Sequence, residues 1–399
     1  MRILMILDRE FPTDHRVEKE AKSLIAVGHE IILLCYSFGK DIKKEENYKG
    51  IAIRRFKLKK NIRDKLIALY LIIPLYKWFW EKQIKKIINK EKIEAIHIHD
   101  LPLSDIGVKM KNKYKVKLIC DQHEYYSNWI VHNAHLNTFI GKIVKKLSNW
   151  KKYEKKYLNR ADLVVTVEEP LRQEYIKHVG IDPDKIINVP NTPLERFVNS
   201  TINEKILQQY RDKFVLFYMG GISDLRGITT AIRALPFIKD VIPEIKLVLA
   251  GKIRKYSNPV KLAEDIGMAE FIDFLGWVDY YDLPSYIKAS DACFHIPPVL
   301  REETNKTIAT KIYQYLAIGK PIICSEAEMM KNFVTDNQVG MVIRQDDAID
   351  FAEKIIKLYE DKSLRRKFEE NCQKIASRYL WENTSKELIE KYNKLQNDA

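Results

Sequence analysis

Three stretches of this chain carry residues of the type and spacing that bind anions. The first is YMGGISDLRG (218–227): an apolar run, a Gly220-Gly221 turn, then Arg226 beside Gly227 where a helical pattern opens. Glycine lets the backbone come close to a ligand. Free N–H groups at a helix start, with a guanidinium beside them, form an anion site. The bland alternative is a plain turn followed by a solvated arginine. The second stretch is a pair of strand endings, LAGK (249–252) and LGWV (275–278). Gly251 and Lys252 close one; Gly276, Trp277 and Val278 close the other. Trp277 and Val278 have the shape to flank a planar base, or simply to line an exposed turn. The third is TKIYQYLAIGKP (310–321), an amphipathic helix with a glycine stop. Lys311 stands in its first turn, where the helix dipole favours phosphate, and the polar Gln314 lies further along it.

The first half of the chain has its own candidates. His123 ends the apolar run KLICDQH, and an imidazole suits proton exchange near neutral pH. Asp100 (in HIHD) and Glu124 are its potential partners. Asp14, His15 and Arg16 open a helical pattern, where an acceptor hydroxyl or phosphate could be bound; Asp14 also fits a helix N-cap. His97, His99 and Asp100 are close enough to raise metal ligation. On a strand, however, 97 and 99 share one face and 100 takes the other.

These residues need a scaffold that gathers strand ends. The runs RILMIL (2–7), HEIILLCYS (29–37), IEAIHIHD (93–100), VKLICDQHE (116–124) and ADLVVTVEE (161–169) are short and apolar. They are separated by enough chain for helical crossovers. The second half repeats the pattern at 213–221, 245–252, 270–278, 290–298, 320–326 and 339–345. This predicts two parallel sheets wrapped by helices, with the ligand in a cleft beyond the carboxyl ends of the strands. Residues 191–212 carry no strand signal and mark the boundary. SRYLWENTSKELIEKYNKLQ (377–396) reads as a long terminal amphipathic helix.

The length of 399 residues fits two domains, and 46% hydrophobic with 31% charged residues is ordinary for a globular chain. Five scattered cysteines without a CxxC pair read as reduced core residues of a cytoplasmic protein. The net charge of +14 calls for anionic partners. Its lysines concentrate at 54–92, around LIALYLIIPLYKWFW (66–80), and at 142–160, interleaved with Trp150, Tyr153 and Tyr157. The apolar run is too short to span a bilayer. We expect it to form a helix pair dipping its Trp78, Phe79 and Trp80 edge into an anionic membrane surface. The alternative is a core helix with a solvated lysine face. No nucleic-acid motif accompanies the charge.

Taken in order, MGGISDLRG, LAG, FLGWV, SDACFHIPP (290–298) and TKIYQYLAIGKPII resemble glycosyltransferase family 4, of the two-domain GT-B architecture. PTDHRVEKEAKSLIAVGHEIILL (12–34), HIHD, DQHE, ADLVVTV and VPNTP (189–193) resemble its first half. The resemblance implies an α/β fold of two Rossmann-like domains facing a central cleft. Residues 1–195 would bind the acceptor and 213–376 a nucleotide-sugar, with helix 377–399 returning to the first domain. It implies retaining sugar transfer without a metal or other cofactor, with His123 facing the reacting centre and Arg226 in the place of the family's lysine. The acceptor domain carries the basic aromatic segments. We therefore expect a lipid-linked or saccharide acceptor of surface polysaccharide or lipopolysaccharide assembly, met at the inner face of the membrane.

Two departures stand out. The family's other phosphate-binding arginine falls on Gly221, and its two paired glutamates fall on Lys306 and Gln314. A glutamine carbonyl still accepts a ribose hydrogen bond, whereas lysine cannot accept at all. Glu302 and Glu303 are nearby acids that could compensate. The departures keep open a second reading, a non-catalytic binding protein on the same fold. A third is an epimerase of that fold, which would not need the lysine–tryptophan segments.

Overall fold

The computed structural model describes residues 1–39, 43–71, 73–123, 126–127, 147–300 and 302–397. The chain divides into two compact units, residues 1–191 with 385–399 and residues 192–384. Residues 377–384, which the sequence groups with the terminal helix, thus lie in the second unit.

The first unit is built on an eight-stranded sheet. Its strands are β1 (Arg2–Leu7), β2 (Glu30–Ser37), β3 (Glu45–Tyr48), β4 (Ile51–Lys57), β5 (Ala95–His99), β6 (Lys117–Gln122), β7 (Leu163–Thr166) and β8 (Ile186–Asn188). The order is β3-β4-β2-β1-β5-β6-β7-β8, and every pairing except β3–β4 is parallel. The buried strands read as continuous apolar runs because both faces are covered by helices. The register sets Leu7 beside His99 and His99 beside Asp121, so the carboxyl ends of β1, β5 and β6 meet.

The antiparallel hairpin β3–β4 was not among the expected strands. Its two-residue loop, Lys49-Gly50, has positive φ at both positions, as a tight hairpin turn demands. The charges of EENYKGIAIRRFK hide it, because only alternate β4 residues are fully buried.

The second unit has six strands: β9 (Phe214–Met219), β10 (Ile245–Ala250), β11 (Ile272–Gly276), β12 (Ala292–His295), β13 (Ile322–Ser325) and β14 (Gly340–Ile343). They form an all-parallel sheet ordered β11-β10-β9-β12-β13-β14. Phe197, Ile206 and Tyr210, from the stretch without strand signal, pack into this unit's core.

The lysine-rich aromatic segment requires a correction. Tyr70, Tyr76, Trp80, Trp150 and Tyr153 are core residues of the first unit, not a membrane-facing edge. Helix Leu75–Ile88 buries Tyr76, Trp80 and Ile84, one every four residues, so its inward stripe is aromatic. Trp80 meets Phe56 edge to face at 4.8 Å, and Tyr70 stacks on Trp150 at 6.2 Å. Phe79 is half-buried against Phe56. Of the large apolar residues on this helix, Leu75 and Trp78 are exposed, Trp78 at 60%. Among the described residues no helix is long and apolar enough to cross a membrane. Lys142, Lys145 and Lys146 lie outside the described residues.

Candidate functional site

In the first unit the strand-end residues form a buried ionic network. Asp121, at the end of β6, accepts from Arg16 Nη2 at 3.2 Å, from His99 Nδ1 at 3.3 Å and from His123 Nε2 in a short contact. Arg16 also contacts Glu20 at 2.9 Å and donates to the Val189 carbonyl at 2.9 Å. His97 stacks on His99 at 4.2 Å and shares a 2.6 Å hydrogen bond with Tyr392 of helix Lys386–Asn397. His123 Nδ1 lies 3.7 Å from Asp100, which also pairs with Arg9 at 2.9 Å.

The charge states follow from burial against pairing. Burial alone would lower His123, but the Asp121 carboxylate carries it up to about 9. Asp121 resists burial because Arg16 and His123 hold it well below the usual carboxylate range. Glu20 is pushed up to about 8 by burial and then by the charge of Asp121. His99 is pushed down to about 3, by burial and then by the charge of His97. The network thus presents a protonated imidazole, half in reach of Asp100, at the tip of a sheet. Asp8, ending β1, is raised to about 6 by burial, opposed by Arg63 and Tyr76.

Of the residues expected to bind an acceptor, Arg16 is corrected. It is 4% exposed and turned inward, paired with Asp121 and Glu20 rather than reaching a ligand. Asp14 caps helix His15–Ala26, accepting from the Arg16 and Val17 amides, and His15 is exposed. His123 and Asp100 come together as expected; Glu124 lies outside the described residues. Glu20, His99, Asp121 and His123 place ligand atoms within 4.8 Å of one another, a spacing open to a cation. Arg16 already stands among them and answers the same two carboxylates.

In the second unit the glycine pair is the organising feature. Sheet pairing runs on past β9 and β10: Gly220 N–H donates to Ala250, Ile222 to Lys252 and Arg254 to Ile222. Gly251 is needed for this close approach, since a Cβ there would fall 1.7 Å from the Gly220 carbonyl oxygen. A Cβ on Gly220 would sit 2.8 Å from Lys311 Nζ, and one on Gly221 would sit 2.6 Å from Arg254 Nε. Each glycine therefore has a cationic group resting over it. Lys311 Nζ donates to the Tyr218 hydroxyl at 3.0 Å and lies 4.1 Å from that ring's centre.

Arg226 is exposed at the start of helix Ile228–Lys239, beyond Gly227, whose missing side chain admits the Ile296 carbonyl. Burial pushes Lys311 well below the usual lysine range, and the charge of Arg226 adds to it. His295, buried at the end of β12, is lowered by burial, Lys311 and Arg226 together. Among the described residues no carboxylate pairs with Arg226, Arg254 or Lys311. Two arginines and a lysine around Tyr218, none with a described carboxylate partner, are what an anion site requires.

The other expected donor residues are not drawn into this group by any described contact. Gln314 is buried and hydrogen-bonds the Tyr280 hydroxyl. Lys306 pairs with Glu302 at 2.5 Å. Trp277 is 68% exposed, Val278 packs on the core and Lys252 is exposed.

Sequence reasoning missed five residues here. Glu20 follows Arg16 by one helical turn, and Asp8 and Asp121 close strands, so those signals were present. Tyr218 and Arg254 carried none.

The Glycosyl transferases group 1 family model matches residues 199–375, and the Glycosyltransferase Family 4 model matches residues 15–192. The putative glycosyltransferase EpsD of Bacillus subtilis is 23% identical over 324 residues, covering 78% of this chain and 79% of that protein. The phosphatidyl-myo-inositol mannosyltransferase of Mycolicibacterium smegmatis is 21% identical over 314 residues, covering 78% and 74%. The crystal structure of Anabaena HepE in complex with UDP matches at a TM-score of 0.69 and 16% identity, over 99% of this chain and 100% of that one. With both halves matched in chain order on two parallel α/β units, the chain belongs to the group 1, family 4 glycosyltransferases of the GT-B fold.

Proposed function

We propose that this chain transfers a sugar, with retention of anomeric configuration, from a nucleotide-sugar to a saccharide or lipid acceptor held at a membrane during surface polysaccharide or lipopolysaccharide assembly. The observation that carries the donor half is Lys311 over Gly220, with Arg226 beside it and no described carboxylate to neutralise either. A diphosphate supplies the missing negative charge at a helix N-terminus and two cations. HepE, crystallised with UDP, is a neighbour of the same fold.

In this reading the leaving phosphate takes the acceptor proton on the same face of the sugar. The protein's part is to hold charge and position. His123 and Asp100 present a fixed, protonated imidazole to a hydroxyl or phosphate. Neither a metal nor another cofactor is called for, because Arg226, Lys311 and the helix start can meet the phosphate charge.

The acceptor half is supported by the phosphatidyl-myo-inositol mannosyltransferase relative. It is also supported by exposed Leu75 and Trp78 beside the lysine-rich segment. Such a face would rest peripherally on the inner side of a membrane, with no nucleic acid involved. Trp78→Ala is expected to weaken cosedimentation with phosphatidylserine vesicles several-fold while leaving the thermal midpoint unchanged. Equal sedimentation of both proteins would remove the membrane part.

The decisive experiment is incubation with UDP-, GDP- and ADP-sugars and a membrane extract. Label is expected to pass from one donor into extractable lipid or polysaccharide. Donor binding without turnover of any sugar would favour the binding-protein reading instead, consistent with Gln314 held by Tyr280 and Lys306 held by Glu302.

A further inference from the structure

The sequence carries no arginine at 221, yet a guanidinium stands over that position. Arg254 Nε, Cζ and Nη2 are the three atoms nearest to where a Gly221 side chain would begin, at 2.6, 3.2 and 3.1 Å. The backbone that carries it is fixed. Its amide donates to the Ile222 carbonyl at 2.9 Å, and Ile222 bridges Ile253 in parallel register. Lys311 lies over the adjacent Gly220, and the charges of Arg226 and Arg254 both reach Tyr218. No described carboxylate pairs with Arg254. An exposed arginine held by its backbone over a side-chain-free floor, beside a half-buried lysine, is set out for a ligand with more than one negative charge.

We propose that Arg254 is a diphosphate-binding residue of the donor site, its guanidinium occupying the room that Gly221 leaves open. This rests on the donor reading above. Arg254 supplies a planar fork for two oxygens of one phosphoryl group, which Lys311, a point charge, cannot do. Gly221 is then a specificity device: any side chain there would displace the guanidinium.

The test is calorimetric titration of the full chain, at fixed salt, with UDP, GDP and ADP and with the matching monophosphates. Arg254→Ala is expected to weaken the preferred nucleoside diphosphate about tenfold or more, with a smaller effect on the monophosphate. Gly221→Arg combined with Arg254→Ala is expected to regain most of that affinity, because the new side chain enters the space just vacated. Equal affinity of Arg254→Ala and wild type would overturn the assignment, as would an equal loss for monophosphate and diphosphate. A double variant no tighter than Arg254→Ala would show that the guanidinium acts elsewhere, and would also overturn it. If the wild-type protein binds none of the three diphosphates, the donor reading itself fails, and this inference with it.

Discussion

Asp121→Asn is expected to destabilise the first unit by about 3–5 kcal/mol, the cost of removing one partner from a buried charge network. Asp121 is fully buried and receives hydrogen bonds from Arg16, His99 and His123. An asparagine of the same shape keeps the packing and removes the charge, leaving two buried cations facing Glu20 alone. The pH dependence separates this from a packing fault. His123 titrates near 9 in the folded chain, above its ordinary value of about 6.5. Its contribution is therefore complete below about pH 6.5 and is lost as pH rises through 9. The raised Glu20 acts in the same direction, because the folded state keeps a proton that the unfolded chain has released. Asp121 itself, held low, contributes above the usual carboxylate range and fails only in acid. Wild-type stability is thus expected to fall by about 3 kcal/mol between pH 6.5 and 9 from His123 alone. In the variant that slope should largely vanish. Urea unfolding followed by circular dichroism at pH 6.5, 7.5 and 9 reads both effects. A variant that keeps the wild-type slope would show that Asp121 does not set the charge of His123.

What could be read from the sequence, and what could not, follows the range of the forces involved. The parallel strands were legible because a strand buried on both faces must be an unbroken apolar run, a purely local property. The hairpin at 45–57 was not, because only one side of β4 is fully buried and Arg54, Arg55 and Lys57 break its apolar run. Trp78 and Trp80 have the same local context. Their opposite fates are decided by Phe56 and Tyr76, which turn one side of the helix into core. Arg16 reads as an acceptor-binding residue at a helix start until Asp121, 105 positions away, draws it inside. The Gly220-Gly221 turn was legible as a place of close approach. Which groups approach it was not, since Lys311 and Arg254 come from distant segments. Local spacing locates strand ends; the partners across those ends are chosen by topology.

Lys311→Met is expected to lower affinity for the preferred nucleoside diphosphate about 10²- to 10³-fold while raising the stability of the ligand-free protein. Truncating one partner of a buried, hydrogen-bonded charge pair costs about 2–5 kcal/mol, and in the complex Lys311 would be such a partner. Without ligand its position is unfavourable. The side chain is half-buried over Gly220, its hydrogen-bond partner is the neutral Tyr218 hydroxyl, and Arg226 repels it. Methionine fills a similar volume without a charge to desolvate, so the empty fold gains. A lysine kept for structure would behave in the opposite way, with loss of stability and retained binding. The same geometry fixes a protonation sign. Burial and Arg226 hold the free ammonium well below the usual lysine range, and a bound diphosphate restores it. Binding above the free group's pKa therefore takes up a proton, and affinity falls as pH rises. Titrations across a range of pH, in buffers of different ionisation enthalpy, should show uptake in the wild type above the free group's pKa and markedly less in Lys311→Met. Unchanged uptake in the variant would place the titrating group elsewhere. Unchanged affinity would mean that the phosphate charge is not met at the glycine pair.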